Sequence, residues 1–362
     1  MTPPLEIPSR SQVMRELTGQ GQRLAAVYPI HYPRALLRAF GFSPVEVWGP
    51  PQVDPDKGNA HLQAYVCSVV RNGLSFVLDG KLDGTELIVV PHCCDSLQGL
   101  GSLLMDFVAP RQPVLPLYLP RGRRPLDLDF FENELAAMAL RLREITGQQP
   151  DDRSLREAQE REEEADALLI RLHAERLHLS LDDALFYRLV RSREYLPAEQ
   201  FSPIARRALE LRELREKPGL GVILSGILPE PPELLETLRQ AGARVVGDDL
   251  ACTGRRLYPA GRSERPLRRM AESLLGGPPD PMLGASIAER GEALQAMARR
   301  GQARGVIFHS IKFCEPELFD QPQLKTLLEA GGLATLSIEH DLNDSLPMQV
   351  ATRIEAFVEM LS

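Results

Sequence analysis

The stretch "RGVIFHSIKFCEPELFDQPQLKTLLEAGGLATLSIEHD", residues 304–341, decides the fold. It opens with an apolar run rich in Val, Ile and Phe (304–312), which reads as a buried strand. "PQLKTLLEAGG" (322–332) then has leucines at helical spacing and ends on a glycine pair, and "ATLSIEHD" (334–341) reads as a second strand. A helix of this length between two strands is a crossover connection, so the two strands lie parallel in a sheet covered on both faces.

The same alternation extends outward. Before it come a strand in "GLGVILSGILPEP" (219–231), a helix in "PELLETLRQAGA" (232–243), a strand in "RVVGDD" (244–249) and a helix in "IAERGEALQAMARRGQA" (287–303); after it comes the helix "MQVATRIEAFVEML" (348–361). The N-terminal part repeats the pattern: helix 32–41, strand 44–49, helix 60–80, strand 85–90, helix 96–108 and strand 113–120. Between them the chain turns charged and helical, as in "ENELAAMALRLREITG" and "REAQEREEEADALLIRLHAERLHL". The expected architecture is therefore α/β: two doubly wound parallel-sheet lobes, 1–128 and 218–362, joined by a charged helical connector, 129–217. The run "EREEEAD" within the connector reads as a solvated helix face.

Composition agrees with this division and excludes several function classes. A chain of 362 residues exceeds one ordinary core of about 100–200 residues. Hydrophobic residues make up 43% and charged residues 25%, and no apolar run approaches the roughly 18 residues that span a bilayer. The net charge of −8, with basic residues interleaved among acidic ones, gives no footprint for a phosphate backbone, so neither nucleic acid nor membrane is an expected partner. The opening residues lack a basic stretch followed by an apolar one, which points to a cytoplasmic protein. No GxxxxGK[ST] loop, GxSxG elbow or GxGxxG turn appears, so ATP hydrolysis, serine hydrolysis and nicotinamide binding are disfavoured.

The cysteines are placed unusually. In a parallel sheet, ligands bind beyond the carboxyl ends of the strands, and four of the five cysteines follow a predicted strand: Cys93 and Cys94, Cys252, and Cys314. The fifth, Cys67, falls inside the predicted helix 60–80. Each taken alone reads as a small buried hydrophobe. Together they read as thiolates converging from separate loops, and soft thiolates select iron–sulfur clusters, whereas a zinc ribbon or finger needs CxxC pairs that are absent. His92 is a ligand, a proton donor or a satisfied polar residue. His173 and His178 read as surface residues.

At this point the sequence resembles a known family. "HYPRALLRAFGFSPVEVWGPP" (31–51), "HLQAYVCSVVRNGLSFVLDGKLDGTELIVVPHCCDSLQGL" (61–100), "GARVVGDDLACTGRRLY" (242–258), "IKFCEPELFDQPQLKTLLEAGGLATLSIEHD" (311–341) and "QVATRIEAFVEML" (349–361) are similar to subunits of 2-hydroxyacyl-CoA dehydratases and ATP-dependent benzoyl-CoA reductases. The resemblance implies two α/β lobes and a 4Fe-4S cluster held by Cys67, Cys94 and Cys314, with one iron position open. It implies a related second subunit, in a heterodimer or a homodimer, and a separate ATP-hydrolysing iron–sulfur activator. It implies a single low-potential electron passed into an acyl-CoA thioester, giving a ketyl radical that expels a β-hydroxyl or takes up protons on an aromatic ring.

Alternatives remain open within the family. A related group carries a double-cubane cluster and reduces small molecules as a homodimer, which calls for about six thiolates; Cys93, Cys252 and His92 are the additional candidate ligands. A third reading is a companion subunit that only relays electrons. Arg255 and Arg256 are candidate partners of the CoA phosphates, because arginine forks match phosphate geometry. "GFSPVEVWG" is expected to line the acyl pocket.

Overall fold

The computed structural model describes residues 5–49, 53–212 and 219–362. The expected boundary at 217/218, and Pro50 and Pro51 of the quoted motif, lie outside them. Eight strands form two four-stranded, all-parallel sheets. The first contains β1 (Arg23–Val27), β2 (Phe42–Glu46), β3 (Leu87–His92) and β4 (Val114–Tyr118) in the order β2-β1-β3-β4. The second contains β5 (Leu220–Gly226), β6 (Ala243–Leu250), β7 (Gly305–Ile311) and β8 (Ala334–His340) in the order β6-β5-β7-β8. The two sheets thus share one topology, and in each the strand order reverses between the first and third strands, which is where open α/β sheets bind ligands.

Local chemistry explains most strands. β7, "GVIFHSI", is buried at every position, as expected of a strand covered on both faces. Pro44 and Pro116 lie in β2 and β4, and both of these are edge strands, where a missing N–H costs no ladder bond. The sequence reading missed β1. Its "RLAAV" has little β-branched bulk, and it becomes a strand because it pairs with β2 on one side and β3 on the other.

The expected helix 60–80 is shorter than its apolar pattern. A brief turn of helix at Asp56–Asn59 is followed by turns, and the regular helix begins only at Ser68 and runs to Leu78. The helix after Cys314 is longer than expected, Glu315–Ala330, and takes Pro316 in its first turn and Pro322 inside it. Proline in the first turn replaces an N–H that has no helical partner.

The segment between the sheets is helical, with Pro125–Thr146, Asp152–Ala174, Asp183–Arg191 and Ala198–Glu210. Its charge run is not a solvated face throughout. Glu160 and Glu164 are exposed, but Glu162 is buried against Arg193, Asp166 meets the same guanidinium at 3.1 Å, and Glu163 pairs with Arg269 at 2.6 Å. A helix packed on two sides turns alternate charges inward, and each inward carboxylate has met an arginine from another element.

One hydrophobic cluster runs from Ala26 and Trp48 of the first lobe to Leu224 and Ile307 of the second. Buried polar contacts cross between the lobes as well: Glu46 with Arg256, His31 with Asp280 (3.1 Å), and Ser68 Oγ accepting from Leu342 N (3.1 Å).

Candidate metal centre between the lobes

Cys67, Cys94 and Cys314 occupy one kind of position. Each is the N-cap of a helix: Cys67 before Ser68–Leu78, Cys94 before Asp95–Leu103 and Cys314 before Glu315–Ala330. Cys67 therefore does not lie inside a helix, as its apolar surroundings suggested; "SVV" starts the regular helix and the cysteine closes the loop before it. Cys94 and Cys314 follow β3 and β7, the third strands of their sheets, so both emerge at a point of strand-order reversal. Phe313, in the left-handed conformation (φ 64°), turns the chain from β7 into the Cys314 cap. Non-glycine residues rarely adopt this conformation, and it concentrates at functional sites.

The electrostatics tie the three thiols together. Burial pushes the Cys67 thiol up to about 12, and a charge on Cys94 adds to the rise. Burial holds Cys314 well above the ordinary thiol value, with further upward contributions from Cys67, Glu317 and Cys94. Cys94, only half-buried, is lowered, chiefly by its hydrogen bond with Cys93. If all three were ionised in this buried site they would repel, and a cationic metal core held by them would offset that repulsion, as would the N-termini of the three helices they cap. Among the described residues no group of His, Cys, Asp and Glu is set to close on a single metal ion. A multi-iron cluster spreads its thiolates over separate corner irons and so takes them from farther apart than one ion does. The donor set, three soft sulfurs at helix starts, fits such a cluster.

The other candidates have surroundings of their own. Cys93 is fully buried, with Sγ 3.5 Å from the Pro29 carbonyl. Cys252 is buried beside Thr253, and its charged neighbours are Arg191, Glu194 and Asp248. His92 is not a satisfied polar residue: neither ring nitrogen has a hydrogen-bond partner among the described residues, the ring stands edge-on to Tyr118 (4.7 Å), and burial lowers its pKa. His178 is exposed, but His173 is not a surface residue. Its side chain is 8% exposed and its Nδ1 lies 3.7 Å from Asp248.

Arg255 and Arg256 face inward. Arg255 is fully buried between Asp249 and Glu317, and Arg256 is buried against Glu46. A guanidinium enclosed by carboxylates in the core is turned away from a solvent-borne phosphate, so the CoA-phosphate expectation gives way to an internal ion-pair role for both.

Of "GFSPVEVWG", the second half, residues 45–49, lines a cavity. Val45 to Gly49, Phe76, Leu228 and Leu342 enclose a mostly apolar space of about 350 Å3, with Lys81 and Glu230 among its polar groups. It lies close to the start of the helix that Cys67 caps: a Cβ on Gly49 would meet the Val69 carbonyl, and Leu342 N donates to Ser68 Oγ, Ser68 and Val69 being the two residues after Cys67. Sequence reasoning missed Glu46, which accepts from Trp48 Nε1, Tyr32, Arg34 and Arg256. Its only signal was a charged residue at the end of an apolar strand.

Two parallel-sheet lobes of one topology, with three helices capped by cysteine, define a two-lobed α/β protein. The chain belongs to the family described as 2-hydroxyglutaryl-CoA dehydratase, D-component, which it matches over residues 29–361. It is 26% identical to the (R)-phenyllactyl-CoA dehydratase beta subunit of Clostridium sporogenes, over 97% of this chain and 95% of that protein. It is 26% identical to the beta subunit of the lactoyl-CoA dehydratase of Anaerotignum propionicum, over 95% and 92%. It is 22% identical to one of the subunits of the benzoyl-CoA reductase of Thauera aromatica, over 94% and 91%.

Proposed function

We propose that the chain is the iron–sulfur subunit of a radical acyl-CoA enzyme of the 2-hydroxyacyl-CoA dehydratase or benzoyl-CoA reductase type. The observation that carries the reading is that Cys67, Cys94 and Cys314 are each the N-cap of a helix, with a charge on Cys94 felt at Cys67 and charges on both felt at Cys314. When bound there, a 4Fe-4S cluster supplies single-electron chemistry at low potential and, with three protein thiolates, an open iron. The residues of the chain hold the three sulfurs at helix starts, keep water from Cys67 and Cys314, and line an apolar space next to the Cys67 helix. In this reading residues 1–128 carry the first two ligands, 129–217 connect, and 218–362 carry the third. A related second subunit and a separate ATP-hydrolysing activator complete the system; that the relatives are themselves named as subunits of larger enzymes supports the second subunit.

Iron and acid-labile sulfide per chain, on anaerobically purified protein, test this directly. About four of each, lost in Cys67→Ala, Cys94→Ala and Cys314→Ala, is the expected result; about eight would move the assignment to the double-cubane homodimer. No cluster after anaerobic reconstitution would sink both.

A second reading, a companion subunit that only relays electrons, is favoured by the burial of Cys67 and Cys314, each 7% exposed. Trp48, the sole tryptophan of the chain, lies in the cavity wall and discriminates the two. If the cavity takes an acyl group, Trp48 emission changes on adding an aromatic acyl-CoA and not on adding CoA alone; an unchanged spectrum with both leaves the relay reading.

A further inference from the structure

Two arginines and two carboxylates close a ring beneath the third cysteine. Arg255 donates from Nε to Asp249 (2.8 Å) and from a terminal nitrogen to Glu317 (3.0 Å). Arg290 donates from Nε to Asp249 (2.8 Å) and from a terminal nitrogen to Glu317 (2.7 Å). All four are buried, and the ring joins the end of β6, the turn after it and two helices. With Asp320 3.5 Å from Arg290 and Asp280 4.0 Å from Arg255 as well, every guanidinium faces carboxylates, and pairing is the condition under which buried charges are tolerated.

The ring's position matters more than its stability. Glu317 is in the first turn of the helix that Cys314 caps, and its backbone N–H donates to the Cys314 carbonyl (3.1 Å). Fixing the Glu317 side chain with two forked cations therefore fixes that first turn and the cap residue on it. The carboxylate is also close in space, because Cys314 is the N-cap of the helix whose first turn contains Glu317.

We propose that Arg255 and Glu317 are positioning residues for the metal centre: the ring orients Cys314 and sets the local charge, and hence the reduction potential, of a cluster held there. This rests on the reading of Cys67, Cys94 and Cys314 as cluster ligands. Reduction adds negative charge, so a nearby carboxylate opposes it and a nearby guanidinium favours it.

The test is a spectroscopically monitored redox titration, with iron counts, of the full-length chain as wild type, Glu317→Gln, Arg255→Gln and Arg255→Lys. Glu317→Gln keeps the shape and removes a negative charge, so the midpoint potential should rise. Arg255→Gln removes a positive charge, so it should fall; Arg255→Lys, which keeps the charge, should stay near wild type. A scaffold role alone would lower cluster content in the variants without oppositely signed shifts, and shifts of one sign, or none, with iron retained would overturn the proposal. If Arg255→Gln does not fold, the Glu317→Gln and Arg255→Lys pair still decides. Wild-type protein without iron would overturn the parent reading and this proposal with it.

Discussion

Among the five cysteines, position in the fold separates roles that composition cannot. Cys252 sits among Arg191, Glu194 and Asp248, so Cys252→Ala should leave iron content at the wild-type level while Cys314→Ala abolishes it; equal loss in both would show that Cys252 is a ligand. Three of the cysteines are singled out as candidate ligands by the family resemblance, which is carried in part by the contexts "AYVCS", "CDS" and "KFCEPE". What they could not convey was that Cys67 caps a helix and does not lie within one, because an apolar pattern does not mark where turns give way to regular hydrogen bonding. Nor could they convey the fate of Arg255 and Arg256: an arginine after a strand reads alike whether it meets a ligand or a carboxylate from a remote segment. Gly101 makes a further point. A Cβ there would lie 2.8 Å from His92 Nε2, so Gly101→Ala should cost about 1–3 kcal/mol by overpacking, measurable by urea unfolding; no loss would mean that the His92 ring moves aside freely.

At the scale of elements, β7 and β8 carry stacked imidazoles toward their C-terminal ends. The rings of His309 and His340 lie 4.4 Å apart, and His309 makes a hydrogen bond with the Leu228 carbonyl oxygen. Burial pushes His309 down to about 3, with His340 adding to the fall, and burial also lowers His340. Their neutral forms are thus favoured in the folded state. The unfolded chain binds the extra proton below the ordinary value of about 6.5, so the contribution is fully present above that pH and is lost as pH falls toward the folded values. Each such group contributes a slope of up to about 1.4 kcal/mol per pH unit within that window. Stability measured by denaturant should therefore begin to fall below about pH 6.5, and His309→Gln should flatten that slope; an unchanged slope would place the sensitivity elsewhere. The connector carries a second element-scale prediction. Arg193 is buried between Glu162 and Asp166, so Arg193→Ala should cost about 3–5 kcal/mol by leaving buried carboxylate charge uncompensated, whereas Glu160→Ala on the exposed face should cost under about 0.5 kcal/mol. Similar losses at both positions, read from unfolding midpoints, would restore the solvated-face reading.

Across the whole molecule, the lobes are held by buried charge as well as apolar contact. Glu46 from the first lobe meets Arg256 from the second, and the His31–Asp280 pair crosses the same boundary. Both carboxylates sit below the ordinary range against the upward push of burial, Glu46 through Arg256 and Arg34, and Asp280 through its hydrogen bond with His31, the nearby Arg255 and the Met282 backbone N–H. Their contribution is present above the unfolded carboxylate value and is lost as pH falls through the folded one. Glu46→Gln should weaken the contact between lobes and turn a single unfolding transition into two; one cooperative transition in the variant would mean that the shared hydrophobic cluster suffices. The sequence by itself determined the α/β class, the parallel sheets and the three candidate cysteines, because hydrophobic periodicity and short local contexts are properties of neighbouring residues. Only the tertiary structure decided that β1 is a central strand, that Glu162 and Asp166 of the charged connector turn inward to Arg193, and that Arg255 pairs with Glu317. Each of these depends on which remote segment arrives opposite a residue, and burial beside that segment outweighs what the residue prefers alone.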